Sequence, residues 1–128
     1  GIPIGLENSI WRRTNFEIIT KNYNNSKDNL LYLNFSINTN KERIQIMKTL
    51  LSKGFIQNKK LPWNKYMSEL SSYKFALSPE GNGIDCHRTW ECLYLGVIPI
   101  VKKSVAMSFF SDLPILFVDN YDNITKKF

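Results

Sequence analysis

Five short apolar runs, Leu30–Ile37, Phe55–Gln57, Phe75–Leu77, Val97–Val101 and Ile115–Val118, punctuate this chain, and stretches patterned for helix lie between them. Each run is predominantly apolar and the last three hold no polar residue, the pattern of a strand buried on both faces. Strands of that kind separated by helices of about ten residues predict an α/β fold: a three-layer, Rossmann-like domain on a mainly parallel sheet. The intervening segments carry helix signals of their own. Thr39 or Asn40 is placed to cap a helix in which Ile44, Met47, Leu50 and Leu51 share a face and Gly54 ends the run. Pro62 opens the next helix, with Trp63, Tyr66, Met67 and Leu70 on one side. A third helix, from about Asp85 or Cys86, stops at Gly96, and the segment 106–112 is long enough for a turn or two.

The length of 128 residues suits one domain, taken here as residues 1–128. The chain begins at Gly1 and its first residues read like the interior of a protein, so a piece of a two-domain protein is expected. The formal charge of +6 favours anionic partners, but the basic residues occur as isolated doublets such as Arg12–Arg13, Lys59–Lys60 and Lys102–Lys103. Without a basic run, no nucleic-acid partner is expected. Cys86 and Cys92 are six residues apart, a helical displacement of about 9 Å that is too long for a disulfide. One histidine beside two such cysteines does not make a zinc site, so no metal is expected. The cytoplasm and the Golgi lumen both stay open as locations.

The chemistry is concentrated in Ser78–Glu91. Gly81 and Gly83 allow the main chain to approach a ligand closely. The helix after them presents unpaired N–H groups and the positive end of its dipole to the loop. Arg88, in the first turn, carries a planar fork suited to phosphate oxygens. Glu91 follows three residues on, where a carboxylate on the same face can accept hydrogen bonds from a ribose. A solvated Arg88–Glu91 pair and a plain glycine turn are the alternatives for the same residues. A dinucleotide-binding loop is disfavoured, because Cys86 stands where its third glycine belongs.

Phe75–Val101 resembles the donor-binding motif of exostosin-like glycosyltransferases and related GT-B enzymes. In those proteins a short strand leads through Pro, a Gly-rich loop and Arg to W/A-E-A-L, Gly and I-P-V-I. The counterparts here are Pro79, Gly81, Gly83, Arg88, Trp90–Glu91–Cys92–Leu93, Gly96 and Ile98–Pro99–Ile100–Val101, in the same order and spacing over about 27 residues. Cys92 replaces the usual small residue. Outside this block the likeness is weaker, confined to Pro3–Asn8 and Asp119–Ile124.

The resemblance implies the C-terminal half of a GT-B glycosyltransferase, retaining or inverting, that binds a nucleoside-diphosphate sugar as donor substrate and needs no other cofactor. Its partners would be that nucleotide sugar, a glycan or protein acceptor, and an N-terminal GT-B domain that completes the cleft. On this analogy Arg88 and Glu91 are the catalytic pair, the first neutralising the departing diphosphate and the second holding the ribose. Ser78, Glu80, Gly81, Asn82, Gly83, Asp85 and His87 would bind the substrate, with Asp85 also suited to cap the helix. His87 reads as a phosphate or sugar contact or a structural side chain before a base. Trp63, Tyr66, Trp90 and Tyr94 fall at core spacing and are expected to pack. A non-catalytic nucleotide-sugar-binding or interaction module of the same fold is the alternative function.

Overall fold

The structure, a computed structural model, describes residues 21–23, 25–37, 41–79, 87–105 and 107–124. Four strands, β1 (Asn29–Tyr32), β2 (Tyr73–Leu77), β3 (Ile98–Lys102) and β4 (Leu116–Val118), pair in chain order into one sheet. All three pairings are parallel, with Leu31 opposite Phe75, Ala76 opposite Pro99 and Val101 opposite Phe117. The expected α/β, Rossmann-like architecture is therefore present. The helices are α1 (Glu42–Ser52), α2 (Trp63–Ser71) and α3 (His87–Leu95), with short 3-10 turns at Met107–Phe110 and Tyr121–Asn123. None of the described helices is long and apolar enough to cross a membrane.

Successive residues of each strand feed opposite layers. Leu31, Leu77 and Ile100 face a core that includes Met47 and Leu50 of α1, together with Tyr121 and Ile124. Tyr32 and Ala76 face Met67 and Leu70 of α2 and Cys92 and Leu95 of α3. Val101, Met107 and Ile115 form a smaller core with Phe110 and Phe117 packed on it. Each fully buried leucine in these layers contributes about 1.5–3 kcal/mol by leaving water. Cys92 is buried and forms no disulfide among the described residues.

Two differences from the sequence reading have local causes. Phe55–Gln57 is not a strand. The chain there passes from the layer of α1 to that of α2, with Phe55 buried and Ile56 almost fully exposed. Only Asn58 pairs: its N–H donates to Leu33 O at 2.8 Å, and its Oδ1 accepts from Leu33 N–H at 2.9 Å. Its Nδ2 group donates to Glu69 Oε1 and Tyr73 Oη, so one side chain replaces a strand. β1 likewise ends at Tyr32, short of the expected Leu30–Ile37, and the next residue, Leu33, bonds Asn58. The expected caps Thr39 and Asn40 lie outside the described residues.

Pro99 occupies a central strand without leaving a gap. Ile100 O accepts from Ser78 N–H, so Ile100 faces β2 and the nitrogen of Pro99 faces the β4 side. β4 begins opposite Ile100, leaving no partner for the missing donor to fail. Gly96 ends α3 at φ +71°, the left-handed conformation that glycine adopts at little cost.

Lys27 staples the opposite end of the sheet. Its ammonium donates to Leu95 O at 2.9 Å and to Ser71 O, the last carbonyls of α3 and α2. Both carbonyls lie at negative dipole ends. Lys27→Met is expected to lower stability by about 1–2 kcal/mol in urea melts, since two charge-assisted bonds are lost from a partly solvated site.

Candidate functional site

In a parallel sheet, every loop that leaves a carboxyl end opens on one side, and that side is where ligands collect. β2 delivers Ser78 and Pro79 there, and α3 returns from it with His87 and Arg88 in its first turn. Glu80, Gly81, Asn82, Gly83 and Asp85, the loop between, lie outside the described residues. Its two ends are well tied. Ser78 is 3% exposed, its N–H reaches Ile100 O at 3.0 Å, and its hydroxyl meets the Thr89 hydroxyl at 2.7 Å. Ser78 thus joins the end of β2 to the start of α3 and does not face outward. His87 is exposed at the mouth.

Arg88 turns back over the sheet end. Its guanidinium carbon lies 5.1 Å from the Tyr32 ring centre and 5.2 Å from that of Tyr66. Nη1 donates to Leu77 O at a long 3.3 Å, and among the described residues the buried Nε has no hydrogen-bond partner. Among the described residues Arg88 makes no ion pair. Burial works against its charge, but Tyr66, Cys92, Tyr32 and Glu91 outweigh that and hold the guanidinium above its ordinary value. It is a permanent cation with an unfilled donor.

Glu91, expected on the same helical face as Arg88, lies against α2. It is 5% exposed, its Oε2 accepts from Trp63 Nε1 at 3.0 Å, and its Oε1 accepts from Tyr66 Oη at 2.8 Å. The cause is α2, which packs against α3 and brings two polar-tipped aromatics to the carboxylate. Burial raises the Tyr66 hydroxyl well above its usual value; Arg88 pulls it down and Glu91 pushes it up again. The hydroxyl therefore stays protonated and donates. Trp63 and Tyr66 do pack in the core as expected, but with their polar ends engaged. Trp90 is buried edge-on against Phe110, whereas Tyr94 is 50% exposed and belongs to the surface.

Arg43 was missed in the sequence, where it reads as one more charge on an amphipathic helix. It is 8% exposed in α1, with Nη1 on Ser36 O at 2.8 Å, Nη2 on Pro79 O at 3.0 Å, and Phe35 beside its guanidinium. One side chain thereby ties the exit of β1 to Pro79, the second residue after β2. Arg43→Lys is expected to cost about 1.5–3 kcal/mol in chemical denaturation, because an ammonium cannot span two carbonyls as the fork does. The only signal in the sequence was an arginine where lysines dominate.

Among the described residues, no group of three or more His, Cys, Asp and Glu could hold a metal ion. The arrangement offers the Arg88 cation at the start of α3 and a loop base anchored through the Pro79 carbonyl, groups that suit an anion. No known family model matches the chain, and no curated protein resembles it in sequence.

Proposed function

We propose that this chain binds the diphosphate of a nucleotide sugar and is the donor-binding half of an exostosin-like, GT-B type glycosyltransferase. The observation that carries this reading is Arg88: a cation beside the carboxyl end of β2, in the first turn of α3, with a buried Nε–H that bonds none of the described residues. Buried donors are almost always paired, so one left unfilled at the ligand side of a parallel sheet is a site for an acceptor. A diphosphate supplies acceptors and negative charge together, and the helix N-terminus adds its own field. The chain order strand, Pro79, glycine loop, Arg88 supports the same reading.

In this proposal Arg88 holds the phosphates and stabilises charge on the leaving diphosphate, without a metal or other cofactor. The sugar's acceptor, a glycan or protein, and the N-terminal GT-B domain that would complete the cleft remain outside this chain. Transfer itself belongs to the two-domain assembly. Calorimetric titration of the chain with UDP, GDP and their sugars tests the proposal. Saturable binding of one nucleotide is the expected result, and absence of heat or NMR shift with all of them overturns it. A bound nucleotide with no transfer in the two-domain protein would instead favour a non-catalytic sugar-nucleotide module.

A further inference from the structure

Arg88 and Glu91 are a half-buried cation and a buried carboxylate three residues apart on one helix, yet they do not bond each other. Tyr66 stands between them. Its hydroxyl donates to Glu91 at 2.8 Å, and its ring lies 5.2 Å from the guanidinium carbon of Arg88. Trp63 Nε1 takes the other carboxylate oxygen at 3.0 Å. Tyr32 completes the cradle, 5.1 Å from the guanidinium and edge-on to Tyr66 at 5.8 Å.

A direct pair would be the ordinary way to neutralise both charges, and it would also consume the guanidinium fork. Here two neutral donors, Trp63 Nε1 and Tyr66 Oη, reach the carboxylate, and among the described residues the cation rests on ring faces that attract it without occupying its N–H groups. Two rings steeply inclined to one another, with an interplanar angle of 66°, also limit how the plane of the fork can turn. We infer that Tyr66 and Glu91 are positioning residues: Glu91 anchors the Tyr66 hydroxyl, and the Tyr66 ring with Tyr32 aims the free donors of Arg88 at an anionic ligand. This rests on the proposed function for the identity of the ligand, a nucleoside diphosphate, but not for the geometry of Arg88. It gives Glu91 a task through Tyr66 and not through ribose.

The test uses Tyr66→Phe, which deletes one oxygen and keeps the ring, and Glu91→Gln, which keeps shape and removes charge. Tyr94→Phe, on the exposed face of α3, is the control. The chain has four arginines, so Arg88→Lys assigns the Arg88 Nε–H signal in a nitrogen-proton NMR spectrum. The signal is expected to shift in Tyr66→Phe and Glu91→Gln and to stay in place in the control. Affinity for UDP or GDP, whichever the parent chain binds, is expected to fall three- to tenfold in both variants. An unmoved Arg88 signal in Tyr66→Phe, or a moved signal with unchanged affinity, overturns the positioning role. If the parent chain binds neither nucleotide, the proposed function fails, while the Arg88 signal still decides whether Tyr66 and Glu91 orient the guanidinium.

Discussion

Replacing Arg88 with alanine is expected to remove measurable nucleotide binding from a domain that remains folded. Two charge-assisted hydrogen bonds to phosphate at about 1.5–3 kcal/mol each correspond to a loss of roughly 100-fold or more in affinity. The fold should tolerate the change, because Arg88 gives the structure only a long bond to Leu77 O and two ring contacts while its burial is itself unfavourable. Calorimetry and near-ultraviolet circular dichroism on the same sample separate the two effects. Arg88→Lys should fall between, retaining charge but not the fork. Undiminished binding in Arg88→Ala would remove Arg88 from the site.

Glu91→Ala should act in the opposite sense, on stability first. The carboxylate satisfies Trp63 Nε1 and Tyr66 Oη, and removing it strands both donors between α2 and α3. Two unsatisfied buried donors at about 1–3 kcal/mol each give an expected loss of about 3–5 kcal/mol. That is a large share of the ~5–15 kcal/mol by which domains of this size are stable. Urea denaturation should show a lower midpoint at unchanged slope. The triple replacement Trp63→Phe, Tyr66→Phe and Glu91→Ala should recover part of the loss, since no donor is then left unpaired. A Glu91→Ala protein as stable as its parent would mean that the carboxylate is not the acceptor for these groups.

The elements themselves were legible because their signals are local. The apolar runs at Phe75–Leu77 and Val97–Val101 lie within β2 and around β3, and Gly54 and Gly96 mark helix ends with positive φ, at 90° and 71°. Phe55–Gln57 failed because three residues with one buried phenylalanine carry no ladder information, and Asn58 does the pairing alone. Tyr94 failed because helical spacing names a face without saying how wide the covered part is.

The site divides along the same line. The sequence by itself determined that a glycine loop joins a buried parallel strand to a helix whose first turn holds Arg88, since spacing, turn residues and apolar runs are properties of adjacent residues. Only the tertiary structure decided what Arg88 and Glu91 face. Side chains three residues apart on a helix diverge by about 60°, so the partners of each depend on what packs alongside. Here that neighbour is α2, which set Tyr66 between the two charges, and α1, whose Arg43 reaches 36 residues along the chain to hold Pro79. Contacts between distant segments follow from how layers stack, and no local pattern records them.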